Sequence, residues 1–261
     1  MPFHRYSDSC VCSMLRYSSF CVFQPYKSAS TFLEAFFRGH SSESLLAYEK
    51  HGSLPCKEAG VKYIITVRDP IDLYLSQYCY GLEGRSGLRN TIEAKTEMDV
   101  YGDGLNGFDR WLSYLNSPEI CSALPEYSPF FSRDGFATWR FMMLATFEYK
   151  LPEPAIDVFL RFERLREDLS NLVSDVLPNS ILSVPAALLW IENAPRLNYS
   201  RFDLQRSAAM ISKKTLSKII ERDRRLFDFY PESKARCIDA LQVQIGSEIP
   251  VAKLITKTAG T

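Results

Sequence analysis

Apolar and polar positions fall in blocks whose spacing predicts alternating strands and helices. Residues 20–23 form an apolar run of strand length, and residues 61–67 (VKYIITV) are β-branched and mostly apolar. Residues 157–162 (DVFLRF) give a third strand. A helical stripe follows each one. The first holds Phe32, Leu33, Ala35, Phe36 and Phe37, with Gly39 expected as a left-handed C-terminal cap. The second runs from Ile71 to Gly81, with Asp69 suited to its N-cap and Pro70 to its first position. The third spans 163–176, with Leu165, Leu169 and Leu172 on one face. Further helices are expected over 108–115, 136–147, around 187–191, and through Leu216, Ile219, Ile220, Leu226 and Phe227 up to Pro231. Residues 41–50 read as a short helix or an irregular loop. Residues 81–107 and 117–134 read as long loops.

Strand-then-helix repetition implies an α/β fold with a parallel sheet and right-handed crossovers. Residues 1–18 read as a loose arm, 19–235 as one domain, and 236–261 as a C-terminal helix or tail of that domain. At 46% hydrophobic and 24% charged, the 261 residues can bury a sizeable core. Formal net charge is zero, which argues against a broad nucleic-acid surface and leaves room for a local basic pocket. The seven cysteines are scattered without zinc-like spacing, so reduced thiols in a cytoplasmic setting are expected. No apolar run is long enough for a membrane span, and the N-terminus is too polar for a secretory signal.

The candidate chemistry sits at two strand ends. After the first strand comes Lys27-Ser28-Ala29-Ser30-Thr31, a polar loop of small residues opening a helix. That arrangement presents backbone N–H groups and a helix N-terminus to a phosphate, with Lys27 at the mouth. It lacks the Gly-Lys-Ser/Thr ending of a Walker loop, which counts against a P-loop phosphotransferase. Arg68 falls at the end of the second strand, and Ser76 lies two turns into the following helix. In such sheets ligands gather at the carboxyl ends of the strands. Two cationic sites there point to a ligand with two phosphates.

These segments resemble the sulfotransferase family, which uses 3′-phosphoadenosine 5′-phosphosulfate. Residues 27–31 are similar to its 5′-phosphosulfate loop. Arg68-Asp69-Pro70, with Ser76 and Tyr78 at the family's spacing, is similar to its 3′-phosphate motif. Residues 160–165 with Asp168-Leu169 are similar to a later strand–helix segment, and 221–227 echo a helix near the end of many members. The resemblance covers roughly residues 20–230. It implies a P-loop-like, three-layer α/β/α fold around a central, mostly parallel sheet.

The same resemblance implies sulfuryl transfer to an acceptor hydroxyl, on a small molecule or a carbohydrate, with no metal. Lys27 is then expected at the bridging oxygen, with the amides of residues 28–31 and the Ser30 and Thr31 hydroxyls on the 5′-phosphate. Arg68 and Ser76 are expected on the 3′-phosphate. Glu49 is the candidate base, with His51 the runner-up, because Glu49-Lys50-His51 resembles the Glu-x-His of carbohydrate-type members. Two departures stand out. Tyr26 separates Pro25 from Lys27, and Ala29 replaces the usual glycine. Alanine there costs about 1–2 kcal/mol if φ is positive and nothing otherwise. The departures keep open a member that binds nucleotide without transferring anything.

Overall fold

A computed structural model of the chain describes residues 12–25, 27–49, 58–84, 89–90, 93, 99, 101–115, 156–195 and 211–246. Its strands are β1 (Cys12–Arg16), β2 (Phe20–Pro25), β3 (Ala47–Glu49), β4 (Lys62–Val67) and β5 (Val158–Arg161). They form one sheet in the order β3-β1-β2-β4-β5. β2, β4 and β5 run parallel, whereas β1 pairs antiparallel with both β2 and β3. The sheet is therefore mixed, with β2, β3, β4 and β5 running one way and β1 against them.

β1 accounts for that difference, and it lies where a loose arm was expected. It folds back on β2 through a tight turn at Ser18 and Ser19, closed by Tyr17 N–H to Phe20 O at 2.9 Å. Glu43 accepts from both serine hydroxyls and from the Ser19 N–H at 2.9 Å, which anchors the turn. β3 likewise replaces the expected helix or loop, using Ala47–Glu49 to extend the sheet edge.

The helices are α1 (Ser30–His40), α2 (Pro70–Leu82), α3 (Phe108–Leu115), α4 (Leu165–Asn171), α5 (Val184–Asn193), α6 (Lys213–Arg222), α7 (Arg224–Phe227) and α8 (Pro231–Gly246). They cover both faces of the sheet. Phe20, Val22, Ile64 and Leu160 point to one face and pack with Phe32, Leu33, Phe36 and Phe37 of α1 and with apolar residues of α4 and α5. Cys21, Phe23, Tyr63, Ile65 and Val67 point to the other face, against residues of α2, α3, α6, α7 and α8. Strands buried on both faces read as continuous apolar runs, which is why β2 and β4 were legible. Gly39 is not a left-handed cap, because α1 continues through it to His40 and ends at Ser41 with an extended backbone. The helix expected over 136–147 and the loop over 117–134 lie outside the described residues.

Chain direction sets up the site. From β2 the chain passes through α1 to β3, on one side of β2. From β4 it passes through α2 toward β5, on the other side. The crossovers diverge, so the carboxyl ends of β2 and β4 flank a topological switch point, where open α/β sheets leave a crevice. Among the described residues no helix is long and apolar enough to cross a membrane.

Candidate functional site

The loop after β2 lies at this switch point, and its backbone is unusual. Lys27 and Ala29 both have φ of 66°, and they are the only non-glycine residues with positive φ among those described. Left-handed residues on either side of Ser28 turn successive peptides, forming the kind of concave nest that takes anions. α1 begins immediately afterwards. Its N-cap, Ala29, supplies no side-chain hydrogen bond, and its first turn contains no acidic residue. A helix start of this kind presents the positive end of its dipole without a capping side chain or a first-turn carboxylate.

Ser28 does not join the cradle. Its N–H donates to Pro25 O at 3.2 Å, and its hydroxyl, also bonded to Pro25 O, meets the Thr66 hydroxyl at 2.8 Å. The residue is fully buried and ties the loop down to β4. Ser30 is half-buried and Thr31 exposed at the start of α1. Ala29 does occupy the left-handed conformation in which alanine is strained.

Arg68 reaches the loop from below. Its Nη1 donates to Lys27 O at 2.7 Å, and its guanidinium lies 4.2 Å from the centroid of the Phe162 ring. It is 4% exposed, and its Nε has no hydrogen-bond partner among the described residues. Burial lowers its pKa, opposed by the carboxylates of Asp72, Glu163 and Asp69. Those acids have separate duties. Asp69 caps α2 by accepting from Ile71 N–H at 2.9 Å and Asp72 N–H at 3.2 Å. Glu163 accepts from Asp69 N–H at 3.0 Å, joining the ends of β4 and β5. Burial, and then the Asp69 charge, push the Asp72 carboxyl up to about 6 despite the nearby Arg68. Burial also raises Glu163. Arg236 of α8 closes the cluster from outside, 3.8 Å from Asp69.

α2 carries a polar stripe past the loop. Asp72, Ser76 and Tyr80 recur every four residues and so share one helix face. Asp72 lies in the field of Arg68, and the Tyr80 ring centroid is 3.8 Å from Lys27 Nζ. Ser76, buried on the same stripe, sits between these two points. The structure thus gathers Lys27, Ala29, Ser30, Thr31, Arg68 and Ser76 around one corner of the sheet.

The proposed bases are placed less fully. Glu49 ends β3, and its backbone pairs with Met14, which in turn pairs with Phe23 of β2. β3 and β2 run the same way, so Glu49 lies level with Phe23, about 10 Å across two strand spacings and four residues short of Lys27 along the strand direction. His51 lies outside the described residues.

Three participants were missed at the sequence level: Tyr80, Asp72 and Gln24. Gln24 precedes the loop on the α1 face of β2, buried, with neither amide atom paired among the described residues. A glutamine inside the apolar run FCVFQP was the available signal. Asp72 and Tyr80 were marked only by their spacing from Ser76. Among the described residues no group of three or more His, Cys, Asp or Glu side chains is arranged to hold a metal. Comparison with family models, with curated proteins and with solved structures finds no match to this chain.

Proposed function

We propose that the chain is a sulfotransferase that moves a sulfuryl group from 3′-phosphoadenosine 5′-phosphosulfate to an acceptor hydroxyl, within a P-loop-like fold. The observation that carries the reading is the anion cradle at the switch point. Left-handed Lys27 and Ala29 flank a pinned Ser28, ahead of a helix start with no capping side chain. The sequence resemblance of residues 27–31 and 68–76 supplies the identity of the anion.

In the proposed reaction the acceptor oxygen attacks sulfur in line with the bond to the 5′-phosphate. A new O–S bond forms as that S–O bond breaks. Its electron pair leaves on the phosphate oxygen, and the hydroxyl proton passes to a base. The products are a sulfate ester and 3′-phosphoadenosine 5′-phosphate. Lys27 and the start of α1 meet the charge that builds on the leaving phosphate, where preorganised donors act most strongly. Ser76, on the stripe between Lys27 and Arg68, contacts the 3′-phosphate. Arg68 supplies positive potential and braces the loop. Glu49 is the proposed base, with His51 as the alternative, and the acceptor is a small molecule or a carbohydrate.

A second reading, nucleotide binding without transfer, draws on one observation. The Arg68 guanidinium is already committed to Lys27 O and surrounded by Asp69, Asp72 and Glu163. Calorimetric titration with 3′-phosphoadenosine 5′-phosphate, against adenosine 5′-phosphate, tests both. The expected result is a clear preference for the 3′-phosphorylated ligand that falls in Ser76→Ala, with affinity for both ligands falling in Lys27→Ala. Equal affinity for the two ligands overturns the sulfotransferase reading, and failure to bind either overturns both. Preference without any sulfated product, across an acceptor screen with 3′-phosphoadenosine 5′-phosphosulfate, selects the second.

A further inference from the structure

We infer that Tyr80 is a positioning residue for Lys27: its ring holds the lysine ammonium at the mouth of the loop and releases it to an incoming phosphate. This rests on the reading of the loop as a nucleotide site. The Lys27 Nζ lies 3.8 Å from the Tyr80 ring centroid, well inside cation–π range. Tyr80 is half-buried on α2, where its ring meets the lysine reaching over from the loop.

The backbone explains why such a hold is useful. Lys27 has a left-handed φ of 66°, and its carbonyl is pinned by Arg68 at 2.7 Å. The main chain is therefore fixed, while a four-carbon lysine stem can by itself sweep a wide arc. A ring at the end of that arc reduces the arc to one place. It also keeps the ammonium against an aromatic face, partly stripped of water. A doubly charged phosphate held by the start of α1 is a stronger partner for the ammonium than the ring. Tyr80 thus acts through Lys27 and need not touch the nucleotide.

Lysines labelled by reductive methylation with carbon-13 formaldehyde report this directly, with the Lys27 signal assigned by its loss in Lys27→Arg. In the free protein the Lys27 methyl signal is expected upfield of the other lysines, shifted by the ring current of Tyr80. Tyr80→Phe keeps that shift and Tyr80→Leu abolishes it. Saturating 3′-phosphoadenosine 5′-phosphate is expected to move the signal back toward the others. Affinity for that nucleotide should fall about two- to fivefold in Tyr80→Leu and stay near wild type in Tyr80→Phe.

An unshifted Lys27 signal in the wild type overturns the inference, as does unchanged affinity in Tyr80→Leu. An intact shift with no response to nucleotide overturns the nucleotide site and with it the delivery role. A shift intact in Tyr80→Phe also rules out a general folding effect in the leucine variant.

Discussion

The left-handed backbone at Ala29 can be tested by the sign of a single substitution. For an L-residue this conformation costs about 1–2 kcal/mol, which glycine does not incur. Glycine returns about 0.4–1 kcal/mol through its greater freedom in the unfolded chain. Ala29 is also partly buried against the α1-side core. Losing its half-buried methyl costs about 0.4 kcal/mol more. The balance leaves Ala29→Gly more stable by about 0.5 kcal/mol. Ala35 provides the control, six residues on, exposed in the middle of α1. There the same substitution costs about 1 kcal/mol. The two variants should therefore differ by about 1.5 kcal/mol, or about 3–6 °C in melting temperature. Urea unfolding with an unchanged m-value measures the difference cleanly. Equal losses in both variants would show that residue 29 has no positive φ and that the nest does not exist.

Other expectations concern charge and bracing. Burial raises the Glu43 carboxyl, but hydrogen bonds from Ser18, Ser19 and Ser180 outweigh it and hold it down at about 2. Its contribution is thus complete above pH ~4.5 and is lost as pH falls toward 2. Because the group is only half-buried, about 1 kcal/mol is expected, absent in Glu43→Gln and read from chemical denaturation against pH. Asp72 has the opposite sign. Its carboxyl is raised from 3.8 to about 6, so the folded state loses stability as pH rises through that window. Asp72→Asn should be more stable than wild type at pH 7.5 by about 1–3 kcal/mol and lose its advantage below pH ~4. A destabilised Asn variant at pH 7.5 would show that the Arg68 attraction dominates instead. Arg68→Met leaves Asp72 and Glu163 without their buried counter-charge and frees the Lys27 carbonyl, at a cost of about 3–5 kcal/mol in urea unfolding. A cost below 1 kcal/mol would show that the arginine does not brace the loop.

The buried parallel strands and their helices were legible because continuous apolar runs and four-residue spacing leave few alternatives. β1 was not. Its turn uses Ser18 and Ser19 without glycine, asparagine or a positive φ, so no local hairpin signature exists. The turn is held by Glu43, which is 24 or 25 residues away in sequence. β3 has only three residues and takes its identity from pairing with β1. At the site, Lys27 and Arg68 were readable from their positions at strand ends. The amides of Ser28 and Ser30 were both expected on the phosphate, and the left-handed turn at Lys27 accompanies a Ser28 that faces Thr66 and Pro25 O instead. The acids around Arg68 come from two segments nearly a hundred residues apart, and their crowding emerges only when β4 and β5 pair.

The same sheet edge carries two strand–loop–helix units, and their difference argues for a division of labour. At β4, Asp69 places its carboxylate on the first amides of α2, so that helix start is already satisfied and its dipole is neutralised locally. At β2, Ala29 occupies the corresponding position and supplies nothing. Had anion binding been spread evenly, both starts would be open. Instead the chain closes the second and uses its strand-end arginine to hold the first, through Lys27 O. The strain at Ala29 and Lys27 fits this arrangement. A strained, uncapped loop persists only if its surroundings over-determine it. Arg68 from below, the Ser28–Thr66 contact at the side and the α1 core behind it provide that restraint. Weakening the restraint should therefore do more harm to anion affinity than deleting a hydroxyl at the mouth. Thr66→Val, which removes only the Ser28 contact, is expected to weaken 3′-phosphoadenosine 5′-phosphate binding more than Thr31→Val, which changes an exposed residue at the helix start. The reverse order in calorimetric titration would mean that the ligand is held by side-chain donors and that the nest is incidental.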